Sequence, residues 1–234
     1  MSQDPVAAES RWALTPPDLF SALPPIVLAS ASPRRQELLA RLGLPFEVQP
    51  ADVDEAAAMA AGGEPVGLAV ALARAKAQAV AEQRSEALVV GADTIVVLGG
   101  SLLGKPADAA EARRMLALLR ERTHLVVTGV ALVGPGGVWE GSGSTRVWTR
   151  GYSERDVEAS IARGDPFDKA GAYAIQDPIL RPVRRIEGCR CNVIGLPLAM
   201  VAVGMSAFRV WPSDEALAAL PEESRACFAE VGLA

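Results

Sequence analysis

The sequence predicts an α/β domain built on a mixed sheet of parallel and antiparallel strands. Apolar runs of strand length alternate with segments whose apolar residues recur every three to four positions, as in amphipathic helices. A glycine pair between two of the strands is typical of a tight hairpin, which adds an antiparallel strand. With 234 residues, of which 50% are hydrophobic and 22% charged, the chain is long enough to bury a large core.

Overall charge and cysteine usage limit the kinds of protein that this chain can be. A net charge of −5 argues against broad nucleic-acid binding, so we expect no nucleic-acid partner. The longest apolar run, 193–203, is too short to cross a membrane, and the acidic N-terminal segment does not resemble a signal peptide. Cys189, Cys191 and Cys227 predict small buried thiols in a reducing cytoplasm, and no histidine pair completes a zinc site with them.

The first unit of the domain is a strand that leads into a capped helix. A short apolar strand at 26–28 is followed by Ser32 as the helix N-cap and Pro33 at the first helical position. Arg34 and Arg35 then stand in the first turn, where the helix dipole makes each cation unfavourable by roughly 0.3–1 kcal/mol. Free backbone N–H groups, a serine hydroxyl and two guanidinium groups would bind a multiply charged anion, unless both arginines point to solvent or to carboxylates of the chain.

The remaining elements continue the alternation of strands and helices. The pattern predicts further strands at 45–53, 87–98, 101–104, 124–133, 145–148 and 183–186. It predicts helices at 65–83, from 108, from 153 and at 197–207. We expect residues 1–25 to be a loose N-terminal extension, 26–211 to be the domain, and 212–234 to be a charged, alanine-rich helical extension.

Asp93 lies in the middle of the apolar strand LVVGADTIVVL and is the strongest candidate for chemistry. Burying a carboxylate alone costs several kcal/mol, so a lysine, an arginine or a metal ion must lie near it. A strand bulge next to Gly91 would aim the carboxylate at a site. The pattern fits a structural ion pair, a general base or a metal ligand.

Lys105 lies in the segment GGSLLGKP, which nearly matches a phosphate-binding P-loop. Pro106 stands where that motif needs the hydroxyl that holds magnesium, and the segment is predicted to be a hairpin rather than a strand that opens a helix. We therefore exclude a Walker-type ATPase. Lys105 can still reach a phosphate from a different scaffold.

A third polar segment, 168–177, combines Lys169 with Gly171, which allows close backbone approach, and with Gln176, which can read an amide edge. His124, the single histidine, is expected to be a strand residue with one hydrogen bond. With one histidine the chain has no HExxH zinc site, and no nucleophile elbow accompanies it.

These motifs, in this order, resemble those of the Maf proteins over about residues 26–210. The matching stretches are Ser30-x-Ser32-Pro33-Arg34-Arg35, Gly91-Ala-Asp93-Thr94, Gly104-Lys105-Pro106, Asp168-Lys169-Ala-Gly-Ala-Tyr173-x-Ile-Gln176 and Asn192-Val-x-Gly195-Leu-Pro197. The resemblance implies a three-layer fold like that of inosine triphosphate pyrophosphatase, with a cleft between two lobes. It also implies hydrolysis of a nucleoside triphosphate to the monophosphate and pyrophosphate, with a divalent cation (Mg²⁺ or Mn²⁺), and a homodimer.

The resemblance further implies roles for individual residues. Asp93 matches the family's catalytic residue, which either accepts the proton of the attacking water or holds the metal that acidifies this water. Glu55 is the further metal ligand that we expect beside Asp93. The positions tied to base choice are matched by Arg34, Thr94 and Gln176. The triphosphate would be surrounded by Ser32, Arg34, Arg35, Lys76, Lys105 and Lys169.

The late motif, with Lys169 and Gln176, resembles the branch of the family that hydrolyses dTTP and UTP and clears modified pyrimidine nucleotides. Ala174 and Asp177 stand where glycines are usual in that motif, which bears on fine substrate preference. Two alternatives stay open at this point. One is a specificity for 7-methyl-GTP within the same chemistry, and the other is a nucleotide-binding regulator of cell division.

Overall fold

The computed structural model describes residues 23–229, and a seven-stranded mixed sheet forms the centre of this part of the chain. Its strands are β1 (Ile26–Leu28), β2 (Glu47–Val48), β3 (Leu88–Leu98), β4 (Ser101–Leu103), β5 (Thr123–Gly134), β6 (Gly137–Thr149) and β7 (Val183–Glu187). The strand order is β2-β1-β3-β5-β6-β7, with β4 paired to β3. β1 runs parallel to both of its neighbours and all other pairs are antiparallel, so the predicted mixed α/β class is confirmed.

Helices cover both faces of the sheet and make three layers. They are α1 (Pro33–Ala40), α2 (Glu55–Ala61), α3 (Pro65–Ala81), α4 (Ala109–Leu119), α5 (Glu154–Ala162), α6 (Arg190–Ile194), α7 (Leu198–Ala207), α8 (Asp214–Ala218) and α9 (Glu222–Ala229). α3 packs on one face. On the other face, α1, α6, α7 and α9 form one apolar cluster and α4 and α5 form a second. No helix in residues 23–229 is long and apolar enough to cross a membrane.

Glycines in the two central strands allow α3 to lie unusually close to the sheet. A Cβ atom at Gly91 would lie 2.2 Å from the Ala73 carbonyl oxygen, and one at Gly129 would lie 2.3 Å from the backbone of Ala69. The predicted bulge at Gly91 is wrong, because β3 pairs with β5 in unbroken register through this region. Gly91 instead allows the close contact with α3. Strand alternation alone turns Asp93 toward this helix.

Several elements differ from the prediction in extent or kind. β2 is an edge strand of two residues rather than nine. α2 was not predicted, since the acidic residues before it were interpreted as the end of a strand. They are a helix start, in which the Asp54 carboxylate caps the helix by accepting a hydrogen bond from Ala57 N.

The predicted C-terminal helix is two short helices, α8 and α9, which are joined at Pro221. Leu220 and Phe228 bury their side chains in the cluster formed by α1, α6 and α7, so this segment packs on the domain. Residues 1–22 of the predicted N-terminal extension, and residues 230–234, lie outside the described residues.

The cysteines form a cluster that the sequence did not indicate. Cys189 and Cys227 are joined by a disulfide, with their Cα atoms 5.3 Å apart, so the expectation of unpaired thiols is wrong for these two. Cys191 is a buried free thiol, as expected, and its Sγ lies 3.2 Å from Ser224 Oγ. The pairing arises because α9 packs against α6 and joins positions 38 residues apart, a contact that cysteine spacing does not reveal.

Thiol titration tests this disulfide directly. In denaturant, protein purified without reductant is expected to show one reactive thiol per chain, and reduced protein is expected to show three. Reduction should also lower the free energy of unfolding by about 2–4 kcal/mol, because the cross-link restricts the unfolded chain. Cys227→Ser should reproduce that loss without reductant. Three reactive thiols before reduction would contradict the pairing.

Candidate active site

A cleft of about 890 Å³ opens beside the middle of β3, between the loop after β1 and the segment 167–176. Side chains from α1, α4 and α6 on one side of the sheet, and from α2 and α3, line this cleft. The residues to which the family resemblance gave a role all contribute to its wall: Ser32, Arg34, Arg35, Glu55, Lys76, Asp93, Thr94, Lys105, Lys169 and Gln176.

A chain of alternating charges lies in the cleft. The Lys76 ammonium donates to Asp93 Oδ1 at 2.5 Å and contacts Glu55 Oε1 at 2.7 Å. Lys105 contacts the other oxygen of Glu55 at 2.6 Å. Lys76 and Asp93 are 5% and 6% exposed, so Lys76 is the cation that the burial of Asp93 requires. α3 provides this contact because Lys76 lies on its sheet-facing side.

The two lysines keep Glu55 ionised. Burial raises the pKa of this carboxyl, but hydrogen bonds from Lys105 and Lys76 together outweigh burial and lower the pKa to about 2. Glu55 stands in the first turn of α2, where the helix dipole also favours a negative charge. Glu55 is therefore a carboxylate at neutral pH.

The same two carboxylates fit a divalent cation. Asp93 Oδ1 and Glu55 Oε1 contact one ammonium nitrogen, so they flank a space that already holds a positive charge. Carboxylate oxygens are the donors that Mg²⁺ and Mn²⁺ prefer, and Mg²⁺ is typically held by one or two carboxylates together with substrate phosphates. Glu55 and Asp93 are the residues that would hold such a cation.

Arg34 connects the two sides of the cleft. Its Nη1 donates to Asp168 Oδ2 at 2.8 Å, so the alternative that an arginine pairs with a carboxylate of the chain applies to Arg34. Lys169 contacts the same carboxylate at 2.5 Å. Burial raises the pKa of Asp168, whereas hydrogen bonds from Lys169 and Arg34 lower it, and the lowering prevails.

Arg35 is held by neutral oxygen atoms of the protein rather than by a carboxylate. Its guanidinium donates to Gly195 O at 2.8 Å, to Ser30 Oγ at 3.2 Å and to Thr94 Oγ1 at 3.2 Å. These bonds use three of the five N–H groups of an arginine, so two remain for a ligand. The sequence motif included Ser30 but gave it no role, although its position just after β1, two residues before the N-cap, was a signal for one.

His124 and Tyr173, which lies between Lys169 and Gln176 in the chain, form a buried pair. His124 Nε2 lies 2.7 Å from the Tyr173 hydroxyl, which confirms the single hydrogen bond expected for this histidine. Its Nδ1 has no partner among residues 23–229. Burial lowers the pKa of His124 to about 4 and raises the pKa of Tyr173 well above its usual value.

This burial makes stability depend on pH. The pKa of His124 is about 4 in the folded state and about 6.5 in the unfolded chain, so the unfolded chain binds more protons between these values. Stability is therefore lost as the pH falls from about 6.5 toward 4. The His124 contribution should be about 2 kcal/mol smaller at pH 5 than at pH 7.5 in urea unfolding. His124→Gln should remove this contribution, and an equal pH slope in that variant would contradict it.

Comparison with known proteins gives consistent matches over most of the chain. The model of the family described as Maf-like protein matches residues 25–208. The dTTP/UTP pyrophosphatase of Thermomicrobium roseum is 55% identical over 173 residues, which cover 74% of this chain and 79% of that protein. The protein of the same name from Moorella thermoacetica is 51% identical over 189 residues, covering 79% of this chain and 95% of that protein.

A more distant relative and one solved structure extend the comparison. The dTTP/UTP pyrophosphatase of Deinococcus radiodurans is 43% identical over 192 residues, with 80% of this chain and 97% of that protein covered. The structure of a HAM1 protein from Coxiella burnetii aligns with 54% of this chain and 73% of its own at 18% identity, with a TM-score of 0.37. That structural likeness is too low to support an argument about fold or function.

Proposed function

The chain belongs to the Maf-like protein family, and from this premise we propose that it hydrolyses dTTP and UTP to the nucleoside monophosphate and pyrophosphate. The relatives that carry this activity in their names are up to 55% identical and align over most of their length. The observation that carries the proposal is the pair of carboxylates bridged by Lys76, set in a cleft that five further cationic side chains line.

Binding of the triphosphate uses the cations around the cleft. Lys105, Lys169 and Arg34 now contact carboxylates of the chain, and phosphate oxygens would replace these carboxylates. Charge-assisted hydrogen bonds of this kind fix the phosphates in one geometry. Ser32 and the two remaining N–H groups of Arg35 lie at the first turn of α1, where the helix dipole favours an anion.

Hydrolysis breaks the bond between the α- and β-phosphates. A water oxygen attacks the α-phosphorus and forms a new P–O bond, while the water loses a proton. Pyrophosphate departs with the electrons of the broken bond. Lys76 holds Asp93 through Oδ1, while Oδ2 makes no hydrogen bond to residues 23–229 and can receive that proton. A bound Mg²⁺ or Mn²⁺, held by Glu55 and Asp93, would neutralise phosphate charge and lower the pKa of a bound water. Both uses of Asp93 require its carboxylate.

We assign recognition of the nucleotide base to Thr94 and Gln176. Arg34 would lie between the base and the phosphates. Thr94 and Gln176 are neutral hydrogen-bonding side chains on the cleft wall, which suits recognition of a base rather than of phosphate. Strand alternation turns Thr94 to the opposite face of β3 from Asp93, away from the charged cluster.

A panel of nucleotides tests the proposal. With Mg²⁺ or Mn²⁺, the purified protein should release pyrophosphate from dTTP and UTP with kcat/KM at least about tenfold above that for dCTP, dATP or 7-methyl-GTP. A higher kcat/KM for 7-methyl-GTP would assign the chain to the other specificity. Orthophosphate as the first product would exclude a pyrophosphatase.

Location and assembly belong to the same proposal. We propose that the protein acts in the cytoplasm and forms the homodimer that the family resemblance implies. Light scattering after size-exclusion chromatography tests the dimer, since a monomer and a dimer of a 24.4 kDa chain are readily separated.

A further inference from the structure

We propose that Thr128 is a positioning residue for base selection, because it fixes the hydroxyl proton of Thr94 and leaves Thr94 a hydrogen-bond acceptor toward the cleft. Such a site favours a pyrimidine with an N–H at ring nitrogen 3, as in uracil and thymine, over cytosine. The inference rests on the proposed function and extends it to the physical cause of the choice between pyrimidines.

Thr94 and Thr128 lie directly opposite each other in neighbouring strands. They are cross-strand partners in the β3–β5 pair, so their side chains share the sheet face that is turned away from α3. On β3, Ala92 belongs to one apolar cluster of this face and Val96 to the other, which places Thr94 at the boundary between the two clusters. Thr94 is partly exposed to the cleft, whereas Thr128 is fully buried.

Hydrogen-bond geometry determines which hydroxyl donates to which. Thr128 Oγ1 lies 2.9 Å from the backbone carbonyl oxygen of Asn192, which only accepts, so the one Thr128 proton is donated there. Thr128 Oγ1 also lies 3.0 Å from Thr94 Oγ1. Because Thr128 has no second proton, Thr94 donates in this contact.

The Asn192 carbonyl oxygen, which accepts the Thr128 proton, is held rigidly. Asn192 is fully buried on α6, and its side-chain amide donates to Val126 O at 2.9 Å and to Thr145 Oγ1 at 3.0 Å. These bonds tie α6 to β5 and β6. A carbonyl cannot become a donor, so the direction of the hydroxyl chain cannot reverse while α6 stays in place.

Thr94 consequently offers only a lone pair to the cleft. Its proton is used by Thr128, and one of its lone pairs accepts from Arg35 Nη2 at 3.2 Å. One acceptor position remains. A ring N–H facing it forms a hydrogen bond, while the ring nitrogen lone pair of cytosine would face another lone pair. A site built to bond an N–H rejects the analogue that lacks it, because a buried acceptor is left unpaired.

Two substitutions at Thr128 separate this role from simple packing. Thr128→Val has nearly the same shape but removes the hydroxyl, so the Thr94 proton is free to turn outward and donate to a lone pair. Thr128→Ser keeps the hydroxyl. The ratio of kcat/KM for UTP to kcat/KM for CTP should fall about tenfold in Thr128→Val, through KM rather than kcat, and should stay near the wild-type ratio in Thr128→Ser.

Binding measurements make the test independent of turnover. Dissociation constants for UTP and CTP, measured by calorimetry with Mg²⁺ in the Asp93→Asn background, should show the same change in ratio. Thr94→Val removes the hydroxyl at the partly exposed end of the hydrogen-bond chain and should also lose the discrimination between UTP and CTP. This variant provides the test if Thr128→Val does not fold. An unchanged UTP-to-CTP ratio in Thr128→Val or Thr94→Val, or an equal loss in Thr128→Ser, would overturn the inference.

The outcomes for the inference and for the proposed function are distinct. If the wild-type protein releases no pyrophosphate from UTP, the proposed function fails, and the ratios of dissociation constants still decide the role of Thr128. If the wild-type protein hydrolyses UTP but binds UTP and CTP equally, the inference fails and the proposed reaction stands.

Discussion

Replacing Asp93 with asparagine is expected to lower kcat for dTTP hydrolysis by about 10³-fold or more. The amide can neither accept the proton of the attacking water nor bind a divalent cation as a carboxylate does. The substitution is nearly isosteric, and Lys76 keeps its contact with Glu55, so the protein should still fold and bind the triphosphate. Steady-state release of pyrophosphate measures the loss, and calorimetry with dTTP measures the binding.

Asp52→Asn is the matched control for this variant. Asp52 is exposed and lies outside the cleft wall, so the same change of charge there should leave kcat within about twofold of wild type. Equal activity of Asp93→Asn and the wild-type protein would rule out Asp93 as the catalytic carboxylate. A loss of nucleotide binding as large as the loss of rate would instead make Asp93 a binding residue.

Gly129→Ala is expected to lower the free energy of unfolding by more than about 3 kcal/mol. The added methyl group would lie 2.3 Å from the backbone of Ala69, and a helix backbone cannot yield as a flexible side chain can. α3 would have to move away from the sheet and carry Lys76 away from Asp93. The variant should therefore lose activity as well as stability, as measured by urea unfolding and pyrophosphate release.

Gly136→Ala provides the comparison for this substitution. A Cβ atom there would lie 3.9 Å from its nearest neighbour, the ring of Phe208, which is an ordinary contact. Its free energy of unfolding should stay within about 1 kcal/mol of wild type. Similar stabilities of the two alanine variants would show that α3 does not depend on the glycine in β5.

Local sequence patterns predicted the parts of the site that depend on one element. The apolar run of β3 placed Asp93 inside a strand, and the cost of burying its charge required a cation nearby. The identity of that cation, Lys76, depends on how α3 packs across the sheet. Glycines in β3 and β5 control that packing, and one of them was interpreted as a bulge because local sequence does not show what lies above a strand.

Contacts between distant segments could not be predicted either, because local sequence does not show which segments pack together. Thr128 lies in a strand rich in β-branched residues, where a threonine is ordinary, and its role depends on α6, which is far away in the chain. The disulfide likewise depends on α9 folding back onto α6. The acidic start of α2 carried a helix-capping signal, but it was attributed to the preceding strand, so the sequence did not place Glu55 on a helix.

The central claim is that the Asp93 cluster splits a nucleoside triphosphate between its α- and β-phosphates. Phosphorus NMR of dTTP incubated with the protein and Mg²⁺ tests this claim most directly, because it identifies all phosphorus products at once. We predict equal amounts of dTMP and pyrophosphate from the wild-type protein, and unchanged dTTP over the same time with Asp93→Asn. The appearance of dTDP and orthophosphate, or equal conversion by the two proteins, would contradict the claim.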